Sequence, residues 1–273
     1  MSSFTFRDDQ NKMNTENFKA LTKDEYSAIQ AYLNTFEVEL GLEFHPFQIA
    51  WYNDQVRKNF HFQLPGDCLA FCIISTPSMF EKAFLPFIRN SYSDNSSDST
   101  LLQDPLDNCI RHCLENIIAD DVLSAYNVKI IQDHEVHTNR QPQILVQTAG
   151  HVSGAAYFYQ KKDVKDSPWP SNKKRFGVSL HPRYGGWFSF RGALILNDVI
   201  CPHLEQRAPK DSLADRDDLK IELLNRFNDK WEDWSYRDVG KVEERYSDLQ
   251  RKYFLTKPAD RLQFIRDLCT SYS

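Results

Sequence analysis

The clearest structural signal of the sequence lies at residues 178–196, whose centre reads His181-Pro182-Arg183-Tyr184-Gly185-Gly186-Trp187-Phe188-Ser189-Phe190-Arg191. Residues 178–181 predict a strand, residues 183–186 a tight turn, and residues 187–196 a returning strand with alternating aromatic side chains. Paired glycines supply the positive φ that hairpin turns need, and they let the backbone approach a flat ligand closely. We therefore predict a β-hairpin. Its lone charged strand residue, Arg191, is either a functional group or an ordinary hairpin arginine.

Outside this hairpin, helical and strand patterns are mixed. Strands are predicted at residues 42–49, 69–75 and 128–136, and helices at 23–40, 77–88, 105–119, 243–254 and 258–269. Hairpin connections, rather than regular βαβ units, favour an α+β fold with a mostly antiparallel sheet flanked by helices and a C-terminal helical cap. Residues 1–20 are expected to be disordered, residues 21–273 to form one domain, and residues 91–100 to be a flexible loop.

Two further segments carry helical patterns. Residues 144–156 predict a strand end that passes into a helix, with Gly150 and Gly154 on one face and room for a bulky object beside them; helix–helix packing is the alternative. A second helix is predicted from an apolar stripe of Ile221, Leu224, Phe227, Trp231 and Trp234.

The composition excludes several classes of protein. A net charge of -5 over 273 residues argues against binding to a nucleic-acid backbone, which requires a basic face. No apolar run reaches the roughly 20 residues of a membrane helix, and residues 1–12 lack the apolar core of a signal peptide. We therefore expect a soluble cytosolic protein. The six cysteines form no C-x-x-C pair, and we expect buried free thiols.

Several common sites are absent from the sequence. There is no G-x-G-x-x-G or P-loop phosphate motif and no G-x-S-x-G nucleophile elbow. His134 and His137 are three residues apart on a predicted strand, where side chains alternate, so they should point to opposite faces and bind no metal together.

Four sequence blocks accompany the hairpin. They are Phe44-His45-Pro46-Phe47-Gln48-Ile49-Ala50-Trp51-Tyr52-Asn53, Glu135-Val136-His137-Thr138-Asn139-Arg140-Gln141-Pro142, Gln147-Thr148-Ala149-Gly150-His151-Val152-Ser153-Gly154-Ala155-Ala156-Tyr157-Phe158-Tyr159-Gln160 and Trp231-Glu232-Asp233-Trp234-Ser235-Tyr236-Arg237-Asp238. In this order, from about residue 42 to 261, the blocks closely resemble the CblC protein family, the cytosolic cyanocobalamin reductases and alkylcobalamin dealkylases of vitamin B12 trafficking.

The resemblance implies a fold similar to the flavin nitroreductases and an enzyme whose substrates are cobalamins. Cyanide would be removed reductively, and alkyl groups would pass to glutathione. FMN with NADPH is a further possible source of electrons, and downstream B12-trafficking proteins are possible partners. The chain has no D-x-H-x-x-G motif to offer cobalt a histidine, so we expect base-off binding without a protein ligand to the metal. The alternatives are a non-catalytic cobalamin carrier and an FMN-dependent nitroreductase-like enzyme.

The resemblance also implies the site residues. It assigns glutathione to Arg191, Arg237 and Arg261, and guanidinium groups suit the two carboxylates of glutathione. It assigns cobalamin to Asp133, Ile144, Leu145, Val146, Gln147, Phe158, Tyr159, Gln160, Phe190 and Tyr246. Apolar and aromatic surface suits the corrin ring, and amide side chains suit its carboxamides. No side chain is expected to act as a general acid or base.

Overall fold

The computed structural model describes residues 18–93 and 104–271. Its main sheet contains β1 (Lys19–Ala20), β2 (Leu42–Gln48), β3 (Cys68–Ser75), β4 (Val128–Gln132) and β7 (Ser189–Ile200), and a small second sheet pairs β5 (Tyr157–Tyr159) with β6 (Val178–Leu180). The order in the main sheet is β1-β7-β3-β2, and β4 also pairs with β7. Every pairing is antiparallel except that of β1 with β7, so the predicted mostly antiparallel sheet is confirmed.

Helices cover both faces of this sheet. They are α1 (Lys23–Glu39), α2 (Ile49–Asn53), α3 (Leu85–Ser93), α4 (Pro105–Ala119), α5 (Val146–Val152), α6 (Asp217–Asp229), α7 (Asp248–Leu255) and α8 (Arg261–Ser271). Thr22 caps α1, because its hydroxyl accepts from the Glu25 N–H at 3.2 Å while the Glu25 carboxylate accepts from the Thr22 N–H at 2.8 Å. The helix predicted from residue 77 begins instead with a π-helical turn at Phe80–Phe84, which continues into α3.

The core is divided by β3, whose eight residues are all buried. Alternate side chains of β3 point to opposite faces of the sheet. Leu69, Phe71 and Ile73 pack with α1, α3 and α4, whereas Ala70 and Cys72 pack with α2 and α5. A third cluster joins the small sheet to α6. The predicted strand at 69–75 is therefore confirmed as a central strand.

The predicted hairpin at residues 178–196 is wrong. His181 and Gly185 exchange backbone hydrogen bonds of 2.7 and 3.0 Å and close the turn, but β6 pairs with β5 and β7 pairs with β3 and β4. The two strands separate because the Gly186 N–H donates to the Arg237 carbonyl at 2.9 Å rather than to β6. The turn therefore connects two sheets.

Two other local predictions also require correction. Gly154 lies beyond the end of α5 with a φ of +78°, where it ends the helix, so it does not share a helix face with Gly150. The stripe that begins at Ile221 does not form one helix: α6 ends at Asp229, Trp231 is 59% exposed, and Trp234 adopts the left-handed conformation at φ +60°.

The two predicted disordered segments fall mostly outside the described residues. At the edge of the first, Lys19 and Ala20 pair with Val199 and Ile200, and at the edge of the second, residues 91–93 form the last turn of α3. All six cysteines are free and buried, as expected. None of the helices within residues 18–93 and 104–271 has the length and apolar character needed to cross a bilayer.

Candidate functional site

Arg191 lies at an irregularity of β7, where the register against β3 shifts between Ile73 and Ile74. The side chain is only 7% exposed, and its Nε donates to the Ser75 hydroxyl at 2.9 Å. Within the described part of the chain, its two terminal nitrogen atoms have no hydrogen-bond partner. A mostly buried guanidinium whose terminal donors are unused by the protein suits an anionic ligand, because guanidinium binds carboxylates in bidentate fashion.

Arg261 approaches the same region from the start of α8. Its guanidinium lies 5.2 Å from the ring centre of Tyr253, and its Nε donates to the Thr256 carbonyl at 3.2 Å. Burial raises the pKa of Tyr253 to about 12, although the positive charges of Arg261 and Arg191 oppose this shift. Both arginines therefore lie near the Tyr253 side chain.

Arg237 is held by aromatic rings. Its guanidinium carbon lies 5.2–5.8 Å from the ring centres of Trp187, Trp234, Tyr236 and Tyr246. It also donates to the Gly186 carbonyl, while its Nε is buried without a partner in the described residues. A Cβ atom at Gly186 would stand 2.7 Å from the Arg237 Cα, so glycine is required for this close approach.

Tyr246 connects the Arg237 cluster to β7. Its hydroxyl lies 3.0 Å from the hydroxyl of Ser189, two residues before Arg191, and its ring lies 5.5 Å from that of Phe254 in α7. Tyr246, one of the ten residues predicted to contact cobalamin, thus lies beside Arg237.

Asp133 follows the end of β4. Its side chain keeps contact with solvent, yet surrounding protein atoms raise the pKa of its carboxyl group, and the nearby Arg191 charge opposes this shift. Asp133 therefore lies within electrostatic range of Arg191.

Most of the other predicted contacts surround α5. Leu145, Val146 and Gln147 are half-buried at its start, and Ile144 is buried. Phe190 packs so closely on α5 that a Cβ atom at Gly150 would lie 2.3 Å from its ring.

The small sheet brings Phe158 and Gln160 to this region. The Phe158 N–H donates to His151 Nδ1 at 3.1 Å, and Gly177, whose carbonyl accepts from Gln147 at 3.5 Å, packs on the Phe158 ring. The Gln160 side chain is half-buried. Tyr159 points the other way: it is fully buried, and its hydroxyl donates to Asp211 at 2.6 Å. In this structure, the Tyr159 side chain is therefore not available to a ligand.

His151 lies among these contacts, with its ring centre 5.0 Å from that of Tyr157. Its burial lowers its pKa, which favours the neutral ring at pH 7. Because Nδ1 accepts the Phe158 N–H, the proton of the neutral ring must lie on Nε2. The ring then has no free lone pair for a metal.

Sequence reasoning missed a cluster of Glu43, His45 and His181, whose possible ligand atoms lie within 4.8 Å of one another. Glu43 and His45 are two apart on β2 and so share a face. The Glu43 Oε2 is 2.8 Å from His45 Nε2 and 3.2 Å from His181 Nε2. The alternation of Glu43 and His45 in the predicted strand was the available signal.

The tautomer of His181 argues against a metal at this cluster. Its Nδ1 accepts the backbone N–H groups of Arg183 and Tyr184 at 3.2 and 3.3 Å, so Nε2 carries the proton and donates to Glu43. A histidine that bound a metal through Nε2 would instead carry its proton on Nδ1 and donate it to a neighbouring acceptor. The cluster is an ion-pair network that supports the turn before Gly185. Elsewhere, His134 Nδ1 lies 3.4 Å from the Asp107 carboxylate.

A cleft of about 1000 Å³ opens between α1, α3 and α4. It is lined by none of the thirteen predicted contacts. Phe176 is 76% exposed beside Gly177.

These features define an α+β protein in which the buried Arg191 and the half-buried Arg237 and Arg261 lie near aromatic side chains, while apolar residues surround α5. Residues 41–265 match the model of the methylmalonic aciduria and homocystinuria type C family, and the chain belongs to this family.

Individual relatives agree with this assignment. A Gallus gallus protein named cyanocobalamin reductase / alkylcobalamin dealkylase is 45% identical over 226 residues, which cover 83% of this chain and 91% of the relative. A Danio rerio protein of the same name is 42% identical over 87% of this chain and 93% of its own. The crystal structure of the Caenorhabditis elegans B12-trafficking protein CblC superposes with a TM-score of 0.78 at 29% identity, over 90% of this chain and 97% of that one.

Proposed function

We propose that this protein is a cobalamin-processing enzyme, a cyanocobalamin reductase and alkylcobalamin dealkylase of the cytosol. The observation that carries the proposal is the identity of 42–45% to enzymes of that name over most of the chain. We further propose that residues 21–273 act as one nitroreductase-like unit, which agrees with the mostly antiparallel sheet flanked by helices.

For alkylcobalamins, we propose glutathione as the acceptor, bound at Arg191, Arg237 and Arg261. The unused donors of Arg191 suit a carboxylate, and positive charge near the thiol favours its thiolate. The thiolate sulfur attacks the alkyl carbon, the carbon–cobalt bond breaks with its electron pair on cobalt, and cob(I)alamin leaves. The thiol proton goes to solvent. Catalysis then consists of positioning the two reactants, and no side chain acts as a general base.

For cyanocobalamin, one electron from a thiol or a reduced flavin converts cobalt(III) to cobalt(II), and cyanide leaves with its electron pair. Base-off binding eases this reduction, because a lower axial ligand would raise the orbital that receives the electron. The proton on Nε2 of His151 supports binding without a protein nitrogen on cobalt.

The deciding experiment is an absorbance titration of cyanocobalamin with the purified protein, followed by a single turnover of methylcobalamin with glutathione. We expect the visible bands to shift as the nucleotide base leaves cobalt, and S-methylglutathione to form faster than without protein. Conversion at the protein-free rate would favour a carrier. Tight FMN binding with an unchanged cobalamin spectrum would favour a flavoenzyme without a B12 role.

Arg191→Lys tests the glutathione half of the proposal. Lysine keeps the charge but loses the planar fork, so we expect glutathione to bind roughly tenfold more weakly, while cobalamin affinity stays unchanged. Glutathione affinity is measured by calorimetry with the cobalamin-loaded protein. Arg183→Lys is the matched control, since Arg183 is half exposed and pairs with Glu37 on the surface. If the Arg191→Lys variant and the wild type bind glutathione equally well, Arg191 does not bind glutathione.

Gly150→Ala tests the cobalamin half. The added methyl group would overlap the Phe190 ring, which must turn away from α5. Because the displaced Phe190 ring would no longer fit the cobalamin, we expect cobalamin affinity to fall about tenfold and glutathione affinity to be preserved. Thr148→Ala, on the same helix, should leave both affinities intact. Unchanged cobalamin affinity in Gly150→Ala would show that Phe190 does not contact cobalamin.

A further inference from the structure

Two cysteines share one face of α4. Cys109 and Cys113 are four residues apart in the helix, so their side chains are neighbours on consecutive turns. Cys109 is 0% exposed and Cys113 is 8% exposed, and both belong to the core cluster beneath α1 and α3. Cys68 and Cys72 have the same spacing, but they lie on the extended strand β3, where four residues span about 13 Å.

The two sulfur atoms have different surroundings. Cys113 lines the cleft of about 1000 Å³ between α1, α3 and α4, so a small molecule in this cleft can reach it. Cys109 lies deeper, near enough to Arg191 to be influenced by its charge. The thiols are close enough that each changes the pKa of the other: the pKa of Cys109 is raised by Cys113 and by burial, whereas that of Cys113 is lowered by Cys109. The outer sulfur is thus the one that forms a thiolate more readily.

We propose that Cys109 and Cys113 form a redox dithiol, which a low-molecular-weight disulfide oxidises to a disulfide within α4. The Cys113 thiolate attacks one sulfur of glutathione disulfide, forming a mixed disulfide and releasing one glutathione thiolate. The Cys109 thiol loses its proton and attacks the Cys113 sulfur, which releases the second glutathione. The protein dithiol is oxidised by two electrons, and one glutathione disulfide is reduced to two thiols.

The helix geometry permits this bond and makes it easily reduced. Four residues of an α-helix rise about 6 Å, which is within the Cα separation that disulfides tolerate. The Cβ atoms must move closer than their ordinary helical spacing, so the turn between Cys109 and Cys113 tightens. A strained disulfide is reduced by ordinary thiols, and oxidation is therefore reversible. Because Cys109 lies within electrostatic range of Arg191, the change occurs near the proposed glutathione site.

Peptide mass spectrometry tests this proposal directly. Arg111 lies between the two cysteines, so trypsin places Cys109 in a peptide of residues 90–111 and Cys113 in a peptide of residues 112–129. The folded full-length protein is equilibrated with mixtures of glutathione and glutathione disulfide, alkylated under acid quench and digested without reductant. We expect the two peptides to appear joined at high disulfide ratios and to separate after reduction. The readout is a mass, so it is independent of cobalamin chemistry and of the proposed function.

Single substitutions establish the order of steps. In Cys109→Ser, we expect Cys113 to retain one glutathione as a stable mixed disulfide. In Cys113→Ser, Cys109 should stay reduced, because the attacking sulfur is gone. Cys72→Ser is the control: burial raises the pKa of Cys72 to about 12, and its loss should not change the joined peptides. Wild-type protein that shows no joined peptides at any ratio, or that modifies Cys72 as readily as Cys113, would overturn the proposal even if the variants fail to fold.

Discussion

Replacing Gly192 with alanine is expected to lower the free energy of unfolding by roughly 3 to 5 kcal/mol. Gly192 has a φ of +122°, a conformation that L side chains rarely adopt, and an added Cβ would lie 1.9 Å from the Ile131 carbonyl oxygen. That oxygen belongs to β4, which pairs with β7 at this point, so the clash cannot be relieved by turning a side chain. The two strands must separate locally.

The measurement is urea unfolding followed by far-UV circular dichroism. Gly66→Ala is the matched control, because its nearest contact would be the Ala50 methyl group at 3.1 Å, and we expect a change below about 1 kcal/mol. Since Gly192 follows Arg191, we also expect weaker glutathione binding in the variant. A Gly192→Ala protein as stable as the wild type would mean that β4 and β7 do not pair this closely.

Glu43→Gln is expected to cost about 3 kcal/mol at neutral pH. Glu43 is 8% exposed, and its Oε2 accepts from both His45 and His181. A glutamine at this position cannot provide the same charge, and His181 would then donate from a buried ring to a weaker acceptor. His181 also fixes the turn before Gly185 and Gly186. Because Gly186 contacts Arg237, a less ordered turn should displace Arg237 and weaken glutathione binding.

The pH dependence gives an independent check. Burial by itself raises the pKa of Glu43, but the hydrogen bonds from His181 and His45 outweigh burial and hold that pKa well below its ordinary value of 4.5. A carboxylate with a lowered folded-state pKa stabilises the protein above its unfolded pKa and loses this contribution as the pH falls. The difference in unfolding free energy between wild type and Glu43→Gln should therefore be largest near pH 7 and shrink below about pH 4.5.

Glu37→Gln is the matched control for this measurement. Glu37 is 39% exposed and pairs with Arg183 on the surface, and such pairs contribute about 0 to 1 kcal/mol. A Glu43→Gln variant that matches Glu37→Gln in stability, or whose deficit grows on acidification, would show that the buried carboxylate does not carry the ion-pair network.

Local signals in the sequence determined much of the secondary structure. The helices predicted at residues 23–40 and 105–119 are present as α1 and α4: Thr22 and Glu25 form a capping box at the start of α1, and Pro105 stands in the first turn of α4. The strands at residues 42–49 and 69–75 were also recognisable, because their apolar content and length are local properties. The sequence also determined the family, since long blocks of specific residues identify it.

Only the tertiary structure decided which strands pair. Residues 178–196 have the local pattern of a hairpin, yet β6 and β7 enter different sheets because Gly186 bonds to Arg237, fifty-one residues away. The same applies to the neighbours of the site: Tyr253 meets Arg191 and Arg261, and His181 meets Glu43, only through long-range packing. The local sequence determines the conformational preferences of a segment. Which distant groups become its hydrogen-bond partners depends on how the whole chain buries its apolar side chains and pairs its polar groups.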